Sequence, residues 1–190
     1  MATSLDRMYC EINKQARTDR LTGILNRMAM EEILQHELAS AQRNKHALSI
    51  AVFDLDHFKT VNDRFGHPVG DKVLQAVTDI VLQSIRRCDY FFRYGGEEFL
   101  LLFPHTDTSM ATKVLERCRK AIAAHSLIID TYRIPVTASF GLAEYQDDSA
   151  EMETLITQAD EALYTAKNTG RNRIVDYSSV ILNQLKNQAS

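Results

Sequence analysis

The segment HALSIAVFDLD, residues 46–56, is apolar for seven residues from Ala47 to Phe53, interrupted only by Ser49, and then turns acidic at Asp54 and Asp56. An apolar run without polar alternation reads as a strand buried on both faces, and its charged end as the point where the strand leaves the core. Such a strand needs partners along its edges and cover above and below. The remaining sequence supplies both.

Residues 19–27, DRLTGILNR, read as a loop, followed by a helix to about 43. A short helical or turn segment covers 57–67. Asp71 is placed to cap a helix whose inward positions are Val73, Leu74, Val77, Ile80, Val81 and Ile85. Residues 89–94 and 98–103 form a strand pair around Gly95 and Gly96. A helix over about 108–124 turns Ala111, Val114, Leu115, Cys118, Ala121 and Ile122 to one face.

Strands are expected at about 126–131 and 134–145. Asp148 and Glu151 have capping-box spacing before a helix with Leu155, Ile156, Ala159, Ala162, Leu163 and Ala166 inward, which stops at Gly170. A last strand falls at about 172–177. Long helices between strands, with at least one hairpin, indicate a mixed α/β (α+β) sheet with helical cover. The expected organisation is a helical lead over 1–17, with Leu5, Met8, Ile12 and Ala16 on one side, one domain over 18–176, and a tail over 177–190.

The chain of 190 residues carries 22 basic and 25 acidic side chains, a formal charge of −3. No global basic field draws it to duplex nucleic acid, so an anionic ligand must be held by local positive groups. Cys10, Cys88 and Cys118 show no metal-ligand spacing, and three cysteines suit a reducing compartment better than a disulfide framework. No apolar run approaches the roughly 18 residues that span a bilayer. The N-terminus has no apolar leader, so a cytoplasmic location is expected.

Asp54 and Asp56, two apart on a strand, project to the same face. If the turn at 95–97 lies beside them, Glu97 joins the cluster. Unit charges about 4 Å apart repel by roughly 1–4 kcal/mol depending on hydration, so such a group favours a cation. Oxygen donors without His or Cys suit Mg²⁺ or Mn²⁺, shared with a substrate's phosphates. Solvation of a strand end is the plainer explanation for DxD alone; the GGEE turn downstream tips the balance towards a site. Lys167 and Arg171, four apart at a helix end, suit phosphate or simply the helix dipole. Asn62 and Asp71 suit a guanine edge, or else a turn and a cap.

Taken together, DRLTGILNR (19–27), DLDHFKTVNDRFGHPVGD (54–71), RYGGEEF (93–99) and ALYTAKNTGRN (162–172) resemble, in order and spacing, the GGDEF-domain diguanylate cyclases in their GGEEF variant. The resemblance spans about 18–176. It implies a five-stranded central sheet surrounded by helices, related to nucleotidyl cyclase cores and polymerase palms. It also implies that two domains, each with one GTP, meet as a homodimer and form cyclic di-GMP with release of two pyrophosphates.

By position, the resemblance assigns Asp54 and Glu97 side chains and the Leu55 carbonyl to Mg²⁺ or Mn²⁺. Asn62 and Asp71 become guanine readers. His57 and Phe58 offer backbone N–H groups to phosphates, and Lys59, Lys167 and Arg171 add charge. Gly95 and Gly96 clear space for the nucleotide. Glu98 is expected to orient Lys59 or a bound water. Arg86 and Asp89 form an RxxD placed as in the family's inhibitory product site, with Arg117 as a secondary partner; otherwise Arg86 simply ends its helix.

Met28 departs from the usual NRR, in a segment expected to be structural. Members commonly carry a sensor upstream; only the short lead is present here, so an upstream sensory domain is expected to be absent from this chain and its location bacterial cytosol. The competing readings are a non-catalytic module that binds cyclic di-GMP or GTP, and a nucleotidyl transferase making another cyclic product.

Overall fold

The computed structural model describes residues 16–124, 126–146 and 151–188. Its elements are α1 (Arg27–Asn44), β1 (Leu48–Leu55), α2 (Phe58–Phe65), α3 (His67–Ser84), β2 (Tyr90–Gly95), β3 (Glu98–Pro104), α4 (Thr108–Ala124), β4 (Leu127–Ile129), β5 (Tyr132–Ile134), β6 (Ala138–Glu144), α5 (Met152–Asn168), β7 (Ile174–Asp176) and α6 (Tyr177–Gln188). The helical lead expected over 1–17 lies outside the described residues except for Ala16 and Arg17.

The apolar run becomes the middle strand of a five-stranded sheet ordered β2-β3-β1-β6-β7. All eight β1 residues are buried. The strand runs antiparallel to both β3 and β6, while β6 and β7 are parallel. The α+β class and five-stranded sheet expected from sequence are therefore present, with β4 and β5 forming a separate small hairpin.

Alternation along the strands divides the core in two. Ala51, Phe53, Leu55, Phe99 and Leu101 pack with Val73, Val77 and Leu115 of α3 and α4. Ile50, Val52, Leu100 and Leu102 pack on the other face with Met30 and Leu34 of α1 and Leu155 and Leu163 of α5. Phe53 stacks on Phe99 at 5.0 Å and Phe140 at 4.8 Å, joining three strands through one aromatic layer. The six inward positions read from the sequence of α5 are all buried.

Several sequence expectations are corrected. Asp71 does not cap α3, which already begins at His67 with Gly66 as N-cap and Pro68 in the first turn, where proline's missing N–H costs no helical bond. The strand expected over 134–145 is two, because Pro135–Thr137 separate the β5 end from β6. Glu151 is itself the N-cap of α5 and makes no side-chain capping bond; Asp148 lies outside the described residues. Thr169 rather than Gly170 is the C-cap. Gly170 follows with φ +119°, and the Arg171 N–H bonds the Ala166 carbonyl at 3.0 Å, a Schellman closure.

Within the expected tail, residues 177–188 are helical. They form α6, opened by Asp176, whose carboxylate accepts from the Ser178 N–H at 3.4 Å, and anchored by buried Val180. No helix is long and apolar enough to cross a membrane among the described residues.

Candidate active site

The antiparallel register of β1 and β3 pairs Asp54 with Glu98. The β2–β3 turn, Gly96 and Glu97, therefore lies at the same sheet end as the acidic terminus of β1. Asp54, Glu98 and the strand residues Val52 and Leu100 share the face covered by α5. From the last turn of α5, Lys167 reaches Asp54, its Nζ 2.9 Å from Oδ2.

Burial raises the Asp54 carboxyl above its ordinary pKa; the hydrogen bond and charge of Lys167 oppose this, while Glu98 and Asp56 add to it. Glu97 is raised by burial and by the Asp54 charge, with Lys167 opposing. Asp160, two turns before Lys167 on α5, is raised by burial and by Glu98. These carboxylates carry more negative charge than one lysine balances.

Asp56 does not join them, contrary to the expected three-carboxylate convergence. It leaves the strand and accepts from Thr137 Oγ1 at 2.6 Å, Ser139 Oγ at 2.7 Å and the Asn172 N–H at 3.0 Å. Accordingly, no cluster of three or more His, Cys, Asp or Glu side chains able to hold a metal occurs among the described residues. Two carboxylates whose mutual repulsion is incompletely balanced still fit a divalent ion whose other ligands come from substrate phosphates.

His57 adopts φ +59° as N-cap of α2 and makes no side-chain capping bond. The N-cap side chain thus leaves the first turn of that helix uncapped, the arrangement that suits an anion. Lys59 is exposed on the same turn. On the loop after α5, Arg171 and Asn172 follow Gly170 with φ of +59° and +45°.

Asn62 lies near the end of α2 and exposed Asp71 in α3. A Cβ at Gly70 would stand 2.0 Å from Asn62 Oδ1, so the Asn62 amide rests against the residue preceding Asp71. Gly95 and Gly96 are exposed, and a Cβ at Gly96, where φ is +39°, would meet nothing within 4 Å. Glu98 has no ion pair with Lys59 among the described residues; its charge acts on Asp54, Glu97 and Asp160.

Arg86 and Asp89 close a tight turn after α3. The Asp89 carboxylate accepts from the Arg86 N–H at 2.8 Å, and the Asp89 N–H donates to the Arg86 carbonyl at 3.1 Å. Burial raises the Asp89 pKa, against the bond and charge of Arg86 and the charge of Arg117. Arg117 donates from Nε to the Ser84 carbonyl at 2.8 Å. A groove of about 380 Å³ runs past Leu82, Arg86, Arg87 and Asp89.

Arg93 is a residue that sequence reading passed over. Its guanidinium donates to the Gly96 carbonyl from Nε at 3.1 Å and Nη2 at 2.8 Å, and from Nη1 to Asp19 Oδ1 at 2.9 Å. Asp19 also accepts from the Thr22 N–H and hydroxyl. The DRLTG loop is thereby fastened to the GGEE turn, a role signalled in sequence only by an arginine beginning that motif.

Residues 16–173 match the family model described as "Diguanylate cyclase, GGDEF domain". The chain is 41% identical over 161 residues to the diguanylate cyclase DgcP of Pseudomonas aeruginosa, covering 85% of this chain and 24% of that protein. Its fold superposes on the coiled coil and GGDEF domain of DgcB from Caulobacter crescentus, solved with c-di-GMP, with TM-score 0.86, 31% identity and coverage of 90% and 91%. The active GGEEF domain of a Vibrio cholerae diguanylate cyclase matches with TM-score 0.76, 30% identity and coverage of 80% and 96%. The chain spans 24% to 54% of the length of the first four curated relatives it matches.

Proposed function

The chain belongs to the GGDEF-domain family of diguanylate cyclases, and from that premise we propose that it condenses two GTP into cyclic di-GMP with release of two pyrophosphates. The observation that carries this reading is the Asp54–Glu98 register, which brings the GGEE turn to the acidic end of β1. The 3′-hydroxyl of one GTP attacks the α-phosphorus of the other, pyrophosphate leaves, and a second such step closes the ring. Each domain supplies one nucleotide, so the working form is a homodimer.

Asn62 and Asp71 receive the guanine edge, whose N1 and N2 donors match a carboxylate and an amide oxygen. The N–H groups of His57 and Phe58 bond phosphate oxygens, and Lys59, Lys167 and Arg171 balance triphosphate charge. Gly95 and Gly96 let the nucleotide lie close to backbone. Asp54, Glu97 and the Leu55 carbonyl would hold Mg²⁺ or Mn²⁺, which would neutralise triphosphate charge and make the 3′-hydroxyl more acidic. The protein's own share is positioning and preorganised charge. Arg86 and Asp89, with Arg117, bind the product and restrain turnover. The reaction takes place in the cytoplasm, where GTP is available.

The test is incubation with GTP and Mg²⁺ across protein concentration, with chromatography of the product. Cyclic di-GMP is expected, rising more steeply than in proportion to protein, and Asp54→Ala and Glu97→Ala should abolish it. A wild-type chain inert at high concentration with Mn²⁺ would exclude this reading.

A further inference from the structure

Lys167 holds the carboxylate that the proposed metal needs. Its ammonium sits 2.9 Å from Asp54 Oδ2, the lysine side chain 30% and the aspartate side chain 10% exposed. Asp54 has no other ion pair among the described residues. This is not a loose surface contact: Lys167 projects from the closing turn of α5, where the helix dipole favours a cation, and the Schellman closure at Gly170 fixes its backbone.

A carboxylate neutralised by an ammonium attracts a divalent ion weakly. Repulsion between a single and a double positive charge about 4 Å apart is worth on the order of thirtyfold in affinity even at the dielectric constant of water. Asp54 therefore does not serve both partners fully at once. Lysine is suited to exchange, since a compact ammonium on a flexible stem can leave one anion for another a few ångströms away. A triphosphate offers that second anion.

Resting on the cyclase reading above, we infer that Lys167 is an internal counter-ion: it occupies Asp54 in the nucleotide-free chain and moves to the triphosphate when GTP binds, releasing Asp54 to the metal. Nucleotide then raises metal affinity, and by linkage metal raises nucleotide affinity by the same factor. The exchange keeps Asp54 paired between turnovers and opens the metal site only with substrate present.

The experiment is a titration of the chain with Mn²⁺, following free Mn²⁺ by electron paramagnetic resonance, with and without a non-cyclisable methylene analogue of GTP. Lys167→Met is compared with wild type and with Arg171→Met, which removes the same unit of charge from the same loop region without touching Asp54. Thermal melts establish that each variant is folded. Without nucleotide, Lys167→Met should bind Mn²⁺ at least about tenfold tighter than wild type, Arg171→Met should stay within about threefold, and the analogue should enhance Mn²⁺ binding less in Lys167→Met than in wild type. A folded Lys167→Met that binds Mn²⁺ no tighter than Arg171→Met overturns the exchange while leaving cyclase activity standing. A wild-type chain that takes up Mn²⁺ neither alone nor with the analogue overturns both.

Discussion

The carboxylate of Asp56 accepts a hydrogen bond at 3.0 Å from the backbone N–H of Asn172, 116 positions further along the chain. Thr137 and Ser139 donate to the same carboxylate. Asn172 in turn accepts at Oδ1 from Arg119 Nη1 at 2.8 Å, and Arg119 is held by Glu116. The loop that presents Arg171 is thus tied to the end of β1 on one side and to α4 on the other. The second acid of DLD shapes the site through these bonds, while its charge adds to the rise in the Asp54 pKa. Asp56→Ala leaves three buried or half-buried donors without their acceptor and should cost roughly 2–4 kcal/mol. Urea unfolding checks it; a loss below about 0.5 kcal/mol would contradict the role.

Gly70 is buried inside α3, where alanine is intrinsically better by about 1 kcal/mol. The reason for glycine is Asn62, whose Oδ1 would lie 2.0 Å from the added methyl. Asn62 is a side chain on a short helix and can rotate away, so Gly70→Ala should leave stability within about 1 kcal/mol of wild type. The proposed guanine contact of Asn62 should suffer instead: GTP affinity is expected to fall roughly tenfold, the value of about one hydrogen bond. Calorimetric titration of the nucleotide-free chain with GTP reads the effect, and unchanged affinity would separate Asn62 from the base.

The RxxD turn gives a prediction on regulation. Because Asp89 binds the Arg86 N–H, it shapes the turn as well as adding charge. Arg86→Ala should abolish product inhibition while sparing initial rate, since the turn stays closed. Asp89→Ala should abolish inhibition and also lower stability by about 1 kcal/mol through loss of the turn bond. Progress curves with added cyclic di-GMP, alongside unfolding midpoints, distinguish the two; retained inhibition in both variants would place the brake elsewhere.

What was legible in sequence was whatever depended on local periodicity. The inward residues of α5 recur at helical spacing, and the β1 run is continuous, so both elements emerged with their cores. The break between β5 and β6 was hidden because Ile134, Val136 and Ala138 are all buried and keep a strand-like alternation across it. The start of α3 lies ahead of the Asp71 cap because Pro68 fits the first helical turn, where its missing N–H costs no bond. Asp56 was misassigned for a similar reason: a two-residue period places it with Asp54, but β1 ends at Leu55 and the period stops with it. Arg93 and Asn172 act through partners 74 and 116 positions away, which no local pattern encodes.

The Arg93–Asp19 pair predicts a pH dependence. Burial tends to raise the Asp19 pKa, but bonds from Thr22 and Arg93 and the charge of Arg93 outweigh it and hold the carboxyl below its ordinary value of 3.8. A group lowered on folding contributes stability above its unfolded pKa and loses it as pH falls through the folded one. Asp19→Asn should therefore cost roughly 1–3 kcal/mol at neutral pH. The gap from wild type should narrow as pH drops below about 4. Urea midpoints between about pH 3 and pH 6 test this; a gap independent of pH would mean that the carboxylate charge is not what matters.

Gly141 marks a close approach of β6 to the backbone of α5. A Cβ there would stand 2.0 Å from the Ala159 carbonyl oxygen and 2.2 Å from the Leu163 nitrogen, both backbone atoms of α5. Unlike Asn62 beside Gly70, a helix backbone cannot rotate aside; the methyl fits only if α5 lifts from β6. That movement would separate Ala159 and Leu163 from the sheet and shift Lys167, carried on the same helix, relative to Asp54. Gly141→Ala should destabilise the domain by about 3 kcal/mol or more, at the upper end for overpacking. Urea unfolding measures the loss, and Mn²⁺ binding in whatever fraction remains folded should also differ from wild type. A variant within about 1 kcal/mol of wild type would show that the β6–α5 contact yields more readily than its geometry indicates.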